Sequence, residues 1–232
     1  MRSRLALFVT AFAATGLLVA NAHAGDRYWS LVEGLTKVKD FAVCGNTVYA
    51  ASDNGLFRNM DGSDAWEQLR TAPSGLVACD GNRVFWLEIA PDFTQVLYIS
   101  HDALQTVTQS TGLLNPDPED LAIAGDIALV ATTNGVDRST DGGLTFPGAY
   151  PVLWDSGGGY HIEAVWTNGS DCVAAGDGGA LAWGIWHSAT GDQDSWALVE
   201  SRHGYDWLSG NGGDILVSGA RWSGYTGTEG LI

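Results

Sequence analysis

The chain has 232 residues, of which 16% are charged, with 27 acidic against 11 basic side chains and a formal charge of −16. So large an acidic excess repels phosphate backbones and anionic membrane surfaces, which argues against nucleic acid as a partner. It suits a protein kept soluble outside the cell.

At the N-terminus, Arg2 and Arg4 precede an apolar stretch of sixteen residues, Leu5 to Ala20, and Ala22-His23-Ala24 then has the small-x-small form of a cleavage site. Residues 1–24 are therefore read as a secretory signal peptide, with Gly25 as the mature N-terminus. The apolar stretch falls short of the ~20 residues that span a bilayer, and no membrane insertion is expected after cleavage. The expected location is secreted, extracellular or periplasmic. Cleavage removes both leader arginines and leaves 208 residues of charge −18, enough for one large all-β domain.

Beyond the leader, one pattern recurs. Ala42 to Ala51, Val77 to Trp86 and Ala122 to Ala131 each read as an apolar run, a Gly/Asn/Asp turn and a second apolar run. That is a β-hairpin signature, because these turn residues tolerate positive φ. A third strand and a more distinctive turn follow: Asn54 to Trp66 aligns with Asn134 to Phe146.

The segment Ser139-Thr140-Asp141-Gly142-Gly143-Leu144-Thr145-Phe146 resembles the Asp-box, or bacterial neuraminidase repeat, S-x-D-x-G-x-T-W, with Phe for Trp. Its Ser and Asp side chains can bond nearby amides, its glycine supplies permissive dihedrals, and its aromatic can tuck into the sheet. Related copies lie near 59–66 (with Asp61 and Trp66), 100–107 (with Asp102) and 188–196, where an extra residue puts Asp192 out of register. Their spacings of 41, 39 and 49 residues match the period of four-stranded propeller blades. The resemblance implies an all-β fold, a β-propeller of four-stranded antiparallel blades, with about four to five blades over residues 25–232. In such a fold Ser139, Asp141, Gly143, Thr145, Phe146, Asp61, Trp66 and Asp102 are structural residues at blade peripheries.

Trp29 to Glu33 reads as an outer strand that would complete the last blade, and Asp214 to Ser218 as the second strand of an incomplete fifth. The chain is then either a five-bladed ring or a fragment of a larger propeller. The six to eight blades of resembling families favour the fragment.

Catalytic chemistry is scarce. The sialidases that the repeat's name suggests hold a substrate carboxylate with three arginines. Arg58 and Arg138 belong to the repeat instead, and no early arginine motif follows residue 25. Glu88, flanked by apolar residues, reads as the solvent-facing position of an alternating strand in preference to a buried acid. The long spacing before the fourth box adds a loop around residues 154–161. There Trp154, Asp155, Tyr160 and His161 are candidate ligand-binding residues: aromatics to stack on a ring, polar groups to hydrogen-bond. Trp183 and Trp186 are weighed similarly, with core packing preferred. Asn168-Gly169-Ser170 is a glycosylation sequon, of consequence in a eukaryotic host.

Cys44 and Cys79 occupy equivalent repeat positions and could form a bridge, or all three cysteines, Cys172 included, could be buried thiols. No zinc-type spacing is present, and no metal or cofactor is expected. The functional expectation is a secreted binding or scaffold module for a protein or glycan; the alternative is a glycoside hydrolase, sialidase- or xyloglucanase-like, with unassigned carboxylates.

Overall fold

The computed structural model describes residues 18–20, 29–31, 35–60, 62, 65–114, 117–147, 151–153, 160–177, 183–201, 207–211 and 214–218. Its elements are all strands. β1 (Leu18–Ala20) pairs with β2 (Trp29–Leu31). The first repeat forms a four-stranded antiparallel sheet of β3 (Val38–Cys44), β4 (Thr47–Ser52), β5 (Gly55–Met60) and β6 (Glu67–Arg70). The second comprises β7 (Ser74–Asp80), β8 (Arg83–Ile89), β9 (Gln95–Ser100) and β10 (Thr108–Gln109). A three-stranded third sheet has β11 (Pro118–Ala124), β12 (Ile127–Thr132) and β13 (Gly135–Ser139). The fourth comprises β14 (His161–Thr167), β15 (Cys172–Asp177), β16 (Trp183–Ser188) and β17 (Ala197–Glu200), and β18 (Trp207–Asn211) and β19 (Asp214–Ser218) begin a fifth.

The first hairpin of each of the first three sheets turns on a left-handed glycine: Gly45, Gly81 and Gly125 have φ of 62°, 57° and 58°. The turn into the third strand depends on close approach instead. A Cβ on Gly55 would lie 2.0 Å from the Arg70 carbonyl oxygen, and one on Gly135 equally close to that of Leu153. Leu153 thus stands where Arg70 stands, bridging to Val136 as the remnant of a fourth strand. This departs from the uniform four-stranded expectation. Pro147 and Pro151 flank the segment, and proline lacks the N–H a strand must donate.

The sheets stack through their first strands: β3 packs on β7, β7 on β11, β11 on β14, and β14 on β18. Each joint is apolar. Tyr49, Ala51 and Leu56 meet Val77, Val84 and Trp86 at the first joint. Leu87, Leu97 and Ile99 meet Leu121, Ile123 and Val130 at the second, and Leu129, Ala131 and Val136 meet Val165, Ala174 and Trp186 at the third. The fourth seats Leu208 and Ile215 on Ala164, Val173 and Ile185.

The Ser-Asp-Thr turns close identical networks. Asp141 Oδ1 accepts from the Ser139 hydroxyl at 2.6 Å and the Thr145 amide at 2.9 Å, and Oδ2 from the Thr145 hydroxyl at 2.7 Å. Asp102 repeats this with Ser100 and Thr106 at 2.8, 2.8 and 2.7 Å. The second copy lacks glycine, yet Ala103 and Leu104 take the left-handed conformation that Gly142 and Gly143 take in the third. In the fourth, Ser195 bonds Ser188 at 2.6 Å, while Asp192 is paired with Arg138 of the third sheet at 2.8 Å. Asp61 lies outside the described residues; its neighbour Asn59 holds the Ala65 carbonyl, and Trp66 packs near Leu35, Ala50 and Phe57. Phe146 is buried against Phe85, ring centroids 6.1 Å apart.

One expectation is corrected. Glu88 is buried, because both faces of a stacked sheet are covered, and it accepts from Arg70 Nε at 2.7 Å and Trp86 Nε1 at 3.1 Å. Among the described residues Trp29–Leu31 pairs with Leu18–Ala20, and the part of the last repeat that it was expected to complete lies outside the described residues. The open question about the cysteines is answered by a Cys44–Cys79 disulfide between the first strands of neighbouring sheets, with Cys172 a buried free thiol.

Candidate functional site

The third joint does not fill to its outer end. A half-open groove of about 320 Å³ lies between Pro151 to Leu153 on one wall and Tyr160, Trp186, Trp196 and Leu198 on the other, with Gln193 and Asp194 at its edge. Tyr160 meets Trp186 edge-on, centroids 5.1 Å apart at 72°, as aromatic quadrupoles prefer. Trp186 is held from β16, opposite Ala174 on β15, and that alanine leaves its ring room. The Trp196 Nε1–H is buried with no hydrogen-bond partner among the described residues. A buried unmet donor beside a cavity is costly unless something enters to accept it. Asp194 sits in the left-handed region, φ 67°, which an aspartate tolerates better than most residues.

Of the sequence-derived candidates, Tyr160 lines this groove. His161 begins β14 and faces Glu119, Nε2 to Oε1 3.5 Å. Trp154 and Asp155 lie outside the described residues. Trp186 is in the groove, and Trp183 pairs across β15 with Asp177. Trp196, Gln193, Asp194 and Leu198 were not anticipated. Trp196 stands where the sequence resemblance puts the aromatic of a fourth box, and the only available signal was the extra residue that displaces Asp192.

A second polar feature lies on the first strands. Asp40 accepts the Phe41 and Val77 amides, both at 2.8 Å; Asp120 accepts those of Leu121 at 2.8 Å and Val165 at 2.9 Å. Each carboxylate therefore staples its own sheet to another, β3 to β7 and β11 to β14. Burial pushes Asp40 up to about 6; burial, aided by the Asp40 charge, pushes Asp120 up to about 7. The turn carboxylates go the other way: Asp102 is held below the ordinary range by the Thr106 amide and hydroxyl, and Asp141, against desolvation, by Ser139 and Thr145.

No known protein family matches the sequence, and no curated protein does. Many solved structures match the fold. An ancestral GH74 enzyme superposes with a TM-score of 0.58 at 14% identity, covering 83% of this chain and 31% of that one. The extracellular domain of a putative one-component system from B. thetaiotaomicron gives 0.55 at 18%, covering 84% and 26%. YCF48 bound to a D1 peptide gives 0.52 at 12%, covering 78% and 60%. At such identities the likeness is one of fold, and that fold is β-propeller-like. The chain spans less than a third of the first two structures' length.

Proposed function

We propose that this chain is an exported, propeller-like binding module that holds a glycan or protein ligand in the groove between its third and fourth sheets, and that its Ser-Asp-Thr turns are Asp-boxes. The observation that carries the binding reading is the unmet Trp196 Nε1 donor beside an aromatic-walled groove. Of the two ligand classes, a sugar suits it better: the surface the groove exposes is mostly polar, half-buried Tyr160 can lie against C–H groups, Trp196 brings a donor for a hydroxyl, and Gln193 and Asp194 are polar partners at the edge. Export is supported by the leader pattern and by the Cys44–Cys79 bond, which persists in oxidising compartments. The Asp-box reading rests on the paired networks at Asp102 and Asp141.

The test is calorimetric titration with neutral oligosaccharides and, separately, an extended peptide library. Saccharide binding lost in Tyr160→Ala and Trp196→Phe supports the reading. Binding unchanged in both variants, or no binding to either class, overturns it. A glycosidase reading draws less support: both recessed acids already accept two backbone amides each, and turnover of fluorogenic glycosides abolished by Asp120→Asn would be needed to establish it.

A further inference from the structure

The loop from β16 to β17 brings two aspartates to the edge of the groove and treats them differently. Ser188, the last residue of β16, holds the Gly191 amide through its hydroxyl at 2.7 Å. The loop then ends in a turn, closed by the Ser195 amide on the Asp192 carbonyl at 3.2 Å. Asp194 stands third in that turn with φ 67°. A positive φ at this place ordinarily selects glycine or asparagine, so the carboxylate is held there against the local preference.

Asp192 is spoken for: Arg138 pairs with it at 2.8 Å, as Arg58 does with Glu67 at 2.6 Å and Arg83 with Asp126 at 2.9 Å. The Asp194 carboxylate makes no hydrogen bond or ion pair with any described residue. It is also the one charged side chain among the described residues that line the groove, where no lysine or arginine stands. The chain as a whole carries −16, so the potential at the groove mouth is negative and draws cations in preference to anions.

Resting on the reading of the groove as a saccharide site, we propose that it selects amino sugars. The ammonium of a glucosamine-type unit pairs with Asp194, while Tyr160 lies against the ring and the unmet Trp196 Nε1–H donates to a hydroxyl. Uronic and sialic acids bring a like charge to Asp194 and find no basic partner among the described lining residues, which turns them away. A lysine side chain carries the same ammonium, but it has no ring for Tyr160 and no hydroxyl for the Trp196 donor.

The experiment is calorimetric titration of the full chain after export, at about pH 5.5, where a sugar amine is charged. The probes are a glucosamine tetramer, its N-acetylated counterpart, a galacturonic acid tetramer and trilysine. The glucosamine tetramer is expected to bind about three- to fivefold tighter than the N-acetylated one, the range of one solvent-touched ion pair, and the galacturonic acid tetramer most weakly. Added salt shrinks that preference. Asp194→Asn and Asp194→Gly both suit the turn, and each should abolish the preference while leaving affinity for the N-acetylated tetramer within about twofold. Equal affinity for the two tetramers, or a preference that survives both variants, overturns the proposal and leaves a neutral-saccharide site, which Tyr160→Ala and Trp196→Phe test independently. Trilysine bound more tightly than the glucosamine tetramer overturns it in favour of a cationic peptide. Binding of none of the saccharides overturns it together with the reading of the groove on which it rests.

Discussion

The first and third joints share an inner frame and part company at their outer ends. In both, an aspartate of the first strand accepts an amide from the next sheet, Asp40 from Val77 and Asp120 from Val165. Opposite those amides the residues differ. The second sheet places Trp86 opposite Val77, with Glu88 two residues on and Tyr98 on the neighbouring strand. The fourth sheet places Ala174 opposite Val165, then Gly176, with Trp186 on the neighbouring strand. In the first joint the indole stacks on Tyr98 at 5.6 Å, and Arg70 lies over the same ring while pairing with Glu88. In the third, Ala174 stands at the tryptophan's position, Gly176 lies close against the backbone of His161 and Ile162, and a groove opens among Pro151 to Leu153, Tyr160, Trp186 and Trp196. Equivalent joints thus end differently: one closes on a stacked indole and phenol braced by an ion pair, the other leaves a half-open groove.

The strongest way to break this contrast is to empty the first joint. Trp86→Ala removes the largest fully buried side chain among the described residues and is expected to destabilise by about 3–5 kcal/mol in urea unfolding. A loss below about 1 kcal/mol would show that the joint is not packed as described. Replacing Cys44 and Cys79 together by serine comes next. The bond closes a separation of 35 residues, and its removal is expected to cost about 2–4 kcal/mol, with the third joint unaffected in hydrogen exchange.

The frame common to both joints sets the pH response. Asp40 and Asp120 have folded values of about 6 and about 7 against an ordinary 3.8, so the native state holds protons that the unfolded chain has released. Their contribution is fully present below about pH 4 and is lost as pH rises through 6 and 7. Asp102 and Asp141, shifted down, contribute stability above the ordinary range that is lost in acid. Stability is therefore expected to peak near pH 4 and to fall by on the order of several kcal/mol by pH 8. Thermal unfolding across that range checks it: Asp120→Asn should flatten the alkaline limb, and an unchanged limb would remove Asp120 as its source.

Much of the frame was legible in the sequence because hairpin turns and the Ser-Asp-Thr turn are local devices. Gly45, Gly81 and Gly125 are needed where they stand, and Asp141 meets its partners within four residues. What escaped depends on the neighbouring sheet. Alternation around Glu88 suggests one wet face, whereas stacking covers both. The Cys44–Cys79 pairing depends on distance across a joint, which repeat equivalence alone does not decide. Trp196 carried two meanings, box aromatic and groove wall, and only the absence of a partner at Nε1 separates them. Pro147 and Pro151 accompany the third sheet's fourth element, which among the described residues is reduced to the Val136–Leu153 bridge, and β2's pairing with β1 was signalled by nothing periodic at all.

The smallest effect is the most discriminating for the groove. Trp196→Phe keeps the ring and deletes the buried donor that no described group accepts. An unmet buried donor costs about 1–3 kcal/mol, so its deletion, offset by the smaller ring, should leave stability unchanged or raise it by up to about 1 kcal/mol, a shift of ~2–4 °C in Tm. The same change at Trp86, whose Nε1 donates to Glu88, removes a satisfied bond and should lower Tm. Opposite signs for two Trp→Phe changes would separate a joint built for packing from one that holds a donor in reserve for a ligand. Equal losses at both would mean that Trp196 is packing alone, and the groove would have no claim as a binding site.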